Sequence, residues 1–333
     1  MIEVTREEEI ANPRDVRPHV VLLGAGASRA AAPDGDANGR RLPVMADFVE
    51  TLGLGSLLDQ AGVEWEGRNF EELYSAIAGD HDRSQIRAEL ERGIEDYFSE
   101  LILPSSPTVY DYLVLGLRSK DVIATFNWDP FLIQAYRRSL SVTRSLPYLL
   151  FLHGCVLHGY CETDRVSGLR GARCSVCGER FRPDRLLFPI GQKNYSTEPS
   201  IASAWDALRQ RLRESLMFTI FGYGAPASDK DAVDLLKDAW GSPQARQFEQ
   251  VEIVDLRSED ELAATWSPFI HTHHYDVFKD FHDSFIAKHP RRSIEAFEAQ
   301  YLEAMFIDEN PAPLQVTLDQ LHTWYGALVS AER

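Results

Sequence analysis

Short apolar runs alternate along this chain with stretches whose apolar residues recur every three or four positions. Val20-Val21-Leu22-Leu23 and Val122-Ile123-Ala124 are too short for helices and end in small or polar residues. The same shape recurs later, so strands are expected at about 19–23, 121–126, 148–152, 216–221 and 250–255. Between the first two, residues 45–118 read as helical. There Ile86, Leu90, Ile94, Tyr97, Phe98 and Leu101 form one stripe, Pro104 and Pro107 end it, and a further helix starts near Thr108. Residues 200–214 carry Ile201, Trp205, Leu208 and Leu212 on one face, and 276–306 again reads as helical around Pro290. Strands separated by helical segments predict an α/β protein with a mostly parallel sheet and helices on both faces.

Residues 154–185 break this rhythm. They are rich in Gly, Cys and Arg and lack periodicity, so a small module held by something other than a core is expected there. The expected organisation is a frayed acidic lead over 1–18, a main domain over 19–260, and a mainly helical extension over 261–333. The main domain holds the helical insertion (about 45–118) and the small module (about 154–185).

Composition narrows the function classes. Of 333 residues, 44% are hydrophobic and 26% charged, as in a folded globular protein. The net charge of −17 argues against a broad nucleic-acid or anionic-membrane surface, leaving room only for a local basic patch such as Arg291-Arg292. No apolar run reaches the ~18 residues that cross a bilayer. The Glu-rich first residues carry no apolar signal core, so a cytoplasmic protein is expected.

Two strand ends carry the candidate chemistry. Gly24-Ala25-Gly26-Ala27-Ser28 is a turn through which a backbone can pass close to a pyrophosphate. The third glycine of the dinucleotide fingerprint is missing, since Ala27-Ser28-Arg29 stands in its place. After the next run, Asn127 and Asp129 alternate with Phe126 and Trp128 and should share a face. A third run ends in His153-Gly154. An amide, a carboxylate and an imidazole beside a nucleotide turn can orient a ribose and a water, and an imidazole pKa near ~6.5 suits a proton acceptor.

The four cysteines all fall between Cys155 and Cys177, which favours a metal over disulfides. Cys174-Ser-Val-Cys177-Gly178 has knuckle spacing, and Cys161 supplies a third thiolate. The fourth ligand is His158, favoured on its H-x-x-C spacing, or Cys155. Such a closed site is structural. His271, His273 and His274 are read as an edge strand and not as a ligand cluster.

Taken in order, Gly24–Ser28, Thr125-x-Asn127-x-Asp129, His153-Gly154 and Cys174-x-x-Cys177 resemble the sirtuins and sirtuin-like proteins over roughly residues 19–257. The resemblance implies a Rossmann-like domain with a small zinc module, NAD as the substrate and a structural Zn²⁺. It implies that Gly24, Ala25, Gly26, Ala27 and Ser28 hold the pyrophosphate. Asn127, Asp129 and Thr125 would line the nicotinamide-ribose side, with His153 as base. Gly222-Tyr223-Gly224 and Asp255 would meet the adenosine side. Pro43 belongs to Arg41-Leu42-Pro43, the nearest match to the G-I-P-D-F-R segment of the family's deacylases, whose Asp-Phe-Arg is missing here. Their F-F-G-E stretch is replaced by Leu187-Phe188-Pro189-Ile190. The run from Phe188 through Tyr195 to Trp205, the stretch from Gly222 to Asp229 and the helical block around Asn69–Leu73 look like the bacterial branch that hydrolyses NAD in antiphage defence. The expectation is therefore a gated NAD hydrolase, acting as a homo-oligomer or with a partner such as an ATPase or defence sensor. A protein-lysine deacylase and a non-catalytic NAD or ADP-ribose sensor are the alternatives.

Overall fold

The computed structural model describes residues 3–13, 17–189, 195–226, 229–270 and 274–332. Its framework is a six-stranded parallel sheet of β2 (His19–Leu23), β3 (Val122–Thr125), β4 (Tyr148–Phe151), β8 (Met217–Phe221), β9 (Gln250–Val254) and β10 (Tyr275–Phe278), in the order β10-β9-β8-β2-β3-β4. Strands β2, β3, β8 and β9 are buried at every position. Parallel strands covered on both faces have no solvent side to mark with polar residues, which is why they read as continuous apolar runs.

Successive residues serve opposite faces. Val21, Leu23 and Ile123 face the helical insertion, while Val20, Leu22, Val122 and Ala124 pack with Trp205, Leu208 and Leu236 from the helices Pro199–Glu214 and Lys230–Trp240. The result is a doubly wound, Rossmann-like sheet. The insertion forms the helices Phe48–Leu52, Gly55–Gln60, Phe70–Ala78, Ser84–Ser99 and Val109–Leu115. Leu90, Ile94 and Phe98 make the buried stripe of the longest. Thr108 and Asp111 form a reciprocal capping box that starts the last, as the proline break requires.

The chain leaves β2 toward β3 and β4 on one side and returns through β8 on the other. The order therefore reverses at β2, which opens a crevice at the carboxyl ends of β2, β3 and β8.

Three expectations change. The sheet does not stop at 260: β10 forms its sixth strand, pairing in parallel with β9, where 276–306 had read as helical. Tyr-Asp-Val-Phe is half-buried throughout on an edge, so it shows no apolar run to read. The lead is not frayed either. Thr5 and Glu8 cap the helix Arg6–Ala11, and β1 (Glu3–Val4) pairs with β11 (Phe306–Ile307). Finally, Arg291 and Arg292 form no basic patch. They are 2% and 1% exposed, and both pair with Glu332 at the end of the helix Leu318–Ala331. Arg292 also donates to the Glu9 and Ile10 carbonyls, which docks the lead. Among the described residues no helix is long and apolar enough to cross a membrane.

Candidate functional site

A cavity of about 390 Å³ occupies the crevice at the strand reversal. Gly24, Ala25 and Ser28 line it after β2, Asn127, Trp128 and Asp129 after β3, His153 after β4, and Gly222, Tyr223 and Gly224 after β8. The insertion supplies a wall of Met45, Phe48, Asn69, Glu71 and Phe98, with Pro43 from the segment leading into it.

Glycine at the first turn is dictated by the second. Gly24 N–H donates to the Phe221 carbonyl (3.0 Å) and Gly26 N–H to the Gly222 carbonyl (2.9 Å). A Cβ on Gly26 would meet Gly222 Cα at 2.8 Å. The glycines thus let two backbones touch at the cavity edge, whatever they do for a ligand.

The cavity-lining Ser28, Asn127 and Asp129 form a closed hydrogen-bond network with the buried Tyr110. Asn127 Nδ2 donates to the Gly24 carbonyl and to Ser28 Oγ, both at 2.8 Å. Ser28 Oγ donates to Asp129 Oδ2 at 2.6 Å. The Tyr110 hydroxyl, reaching in from the helix Val109–Leu115, lies 2.8 Å from Ser28 Oγ. Both amide hydrogens of Asn127 are spent, so the group it offers the cavity is the acceptor Oδ1. Asp129 also accepts from Phe131 N–H at 3.1 Å. Burial raises its pKa to about 6 even against these two donors, so the ionised form predominates at neutral pH. His153 is held between rings, with Phe126 at 4.6 Å and Tyr195 stacked at 5.9 Å.

The other expected residues take different places. Thr125 Oγ1 accepts from Asn127 N–H and so shapes the turn from behind. Ala27 is buried, and Gly26 serves the backbone contact. Tyr223 stacks on Phe126 at 4.4 Å and donates to Asp229. Asp255 does not line the cavity. Its carboxylate is held by Arg257, with bonds of 2.9 and 3.2 Å. Burial alone would raise its pKa, but the Arg257 bonds and charge outweigh that and hold it low. Of the His271, His273 and His274 group, the first two lie outside the described residues, as do 190–194 of the stretch before Tyr195. Tyr110 escaped sequence reasoning because a tyrosine within Val-Tyr-Asp-Tyr-Leu-Val-Leu signals only a core position.

The small module is a three-stranded antiparallel sheet of β5 (His158–Cys161), β6 (Val166–Leu169) and β7 (Arg182–Pro183). Its apolar interior is little more than Cys161, Cys174, Phe181 and Val166. Donor atoms of Cys161, Asp164, Cys174 and Cys177 all lie within 4.8 Å of one another. The Cys161 and Cys177 sulfurs are 3.6 Å apart, and tetrahedral zinc with ~2.3 Å thiolate bonds sets its ligands about 3.8 Å apart. The donor set therefore fits zinc. The fourth donor atom of this cluster belongs to Asp164, and His158 and Cys155 lie outside it. On a strand, residues three apart point to opposite faces, so His158 cannot follow Cys161; its Nδ1 bonds Asp184 Oδ2 at 2.6 Å. Cys155 is buried with its sulfur 3.4 Å from the Asp129 carbonyl.

No family model and no curated protein matches the chain. Among solved structures the fold is similar to a Sir2 homologue in complex with NAD (13% identity, 81% of this chain and 86% of that one, TM-score 0.36). It is also similar to a Sir2 homologue in complex with 2′-O-acetyl ADP-ribose (15% identity, 87% and 94%, TM-score 0.40). A third similar structure was described for the mechanism and regulation of Sir2 enzymes (16% identity, 90% and 97%, TM-score 0.38).

Proposed function

We propose that this chain hydrolyses the nicotinamide–ribose bond of NAD, releasing nicotinamide and ADP-ribose, as a gated effector of the antiphage-defence kind. The observation that carries this reading is the meeting of three turns on one cavity: Gly24–Ser28, Asn127–Asp129 and His153. A cavity at the reversal point of a parallel sheet is where such folds take nucleotides.

The roles follow from the groups. The backbone of Gly24–Ser28 holds the pyrophosphate, and the Gly222–Gly224 turn lies toward the adenosine. Asn127 Oδ1 accepts from a ribose hydroxyl or from the attacking water. The C1′–N bond breaks with its electron pair going to the pyridinium nitrogen, which leaves as neutral nicotinamide. Positive charge develops at C1′, and the buried Asp129 carboxylate favours it electrostatically. Water oxygen bonds to C1′ and its proton passes to His153. Cys161, Asp164, Cys174 and Cys177 would hold a structural zinc, whose chemistry would be to stiffen the module that flanks His153. A constitutive NAD hydrolase would exhaust its host, so self-assembly or a partner protein gates it.

The test is NAD consumption by the pure protein. Nicotinamide release without any acyl peptide supports the reading. Release only with an acyl-lysine peptide, one-to-one with deacylation, makes the protein a deacylase. Tight NAD binding without turnover, alone and across assembly states, makes it a sensor.

A further inference from the structure

Resting on that reading, we infer that Tyr110 is a positioning residue of the site, acting on Asp129 through Ser28. Its ring is buried at 1% exposure on the helix Val109–Leu115, outside the three turns that carry the chemistry. Only its hydroxyl reaches the network, 2.8 Å from Ser28 Oγ and 3.3 Å from Asn127 Nδ2.

Proton counting fixes the direction of each bond. Ser28 has one proton, and a carboxylate 2.6 Å away takes it. Asn127 Nδ2 can only donate. Tyr110 must then give its own proton to Ser28, whose two lone pairs accept from Tyr110 and Asn127. Burial, and the nearby Asp129 charge, push the phenol well above its ordinary pKa, so the proton is always there to give. All donors thus point from Tyr110 through Ser28 to Asp129. A donor that is itself a hydrogen-bond acceptor donates more strongly, so Tyr110 strengthens the bond Ser28 makes to the carboxylate. The same acceptance pins Ser28 Oγ, which with the Gly24 carbonyl decides that Asn127 turns its oxygen to the cavity. Cys155, from the loop after β4, also interacts with Asp129, and the titratable groups that share its cavity are Glu71, His153, Tyr223 and Asp229; among the described residues no Lys or Arg lines it.

The decisive experiment titrates the Asp129 carboxyl by ¹³C NMR in the ligand-free protein, assigned with Asp129→Asn. Tyr110→Phe keeps the ring and removes the donor; it should raise the midpoint by about half a pH unit. Ser28→Ala should raise it further. Adding Tyr110→Phe to Ser28→Ala should then change nothing, because the tyrosine acts only through the serine. Equal increments in both backgrounds, or no shift in either, overturn the inference. If Tyr110→Phe does not fold, 3-fluorotyrosine in place of Tyr110, a stronger donor of nearly the same shape, should lower the midpoint instead, and no movement overturns the inference. In turnover, the acid limb of the kcat profile should move with the titration while KM for NAD stays within about two-fold. A shifted titration with an unmoved limb overturns the role in turnover. If the native protein consumes no NAD under any condition, the proposed function falls, and the titration still decides the role of Tyr110.

Discussion

Gly24 and Gly222 sit so close that a Cβ on Gly24 would lie 2.5 Å from the Gly222 carbonyl oxygen. The converse substitution is worse. Gly222 has φ +61°, and a Cβ there would meet Ala27 N at 2.3 Å. Gly222→Ala should cost about 2–4 kcal/mol of stability, combining left-handed strain with overpacking. Urea unfolding measures this. The two turns would also part, so NAD affinity should fall with it.

Asn127→Ala should lower nicotinamide release by about 10²-fold or more while NAD affinity changes only several-fold. The substitution removes the acceptor Oδ1 together with the amide bonds to the Gly24 carbonyl and Ser28 Oγ, whereas in the proposed site most binding contacts lie along the two glycine turns. His153→Ala should lower release by about 10²–10⁴-fold. Circular dichroism should show both variants folded, and isothermal titration separates binding from turnover. A folded His153→Ala protein with full activity would remove the histidine from the mechanism.

Asp129 ties stability to pH. Its folded pKa of about 6 lies above that of an unfolded aspartate, so between pH 4 and 6 the folded state binds more protons. Stability from this group is therefore greatest below pH 4 and is lost as pH rises through 6. Relative to Asp129→Asn, the native protein should lose roughly 2–3 kcal/mol between pH 4 and pH 7. Urea titrations of both proteins at the two pH values check this, and a constant difference would contradict it.

One zinc per chain is expected by elemental analysis. Asp164→Ala should loosen the metal, seen as faster loss to a chelator, whereas His158→Ala and Cys155→Ala should keep full stoichiometry. Chelation should unfold the β5–β7 module, visible as new protease cleavage within 154–185.

How much of this was legible follows from what each pattern encodes. Parallel strands buried on both faces, such as Val20–Leu23, declare themselves as apolar runs, and their ends located Gly24, Asn127, Asp129 and His153. The strand Tyr275–Phe278 did not, because an edge position leaves Asp276 half-exposed beside Val277. His158 shows the limit of spacing arguments: H-x-x-C suits a knuckle, but once those residues lie on a strand the first and last face apart. Tyr110 and Asp164 acquire meaning only from what lies across from them, in one case a serine 82 positions away and in the other a pair of thiols.

The contact between Gly24 and Gly222 also orders events in time. A ribosome delivers the first glycine turn long before the second, and β2 has only one of its two sheet neighbours until β8 is made. Closing so long a loop is slow compared with forming the local helices of the insertion. The crevice therefore cannot exist in a nascent chain that ends short of the second turn, even with Asn127, Asp129 and His153 already synthesised. If the chain hydrolyses NAD as proposed, this topology keeps every unfinished copy inert.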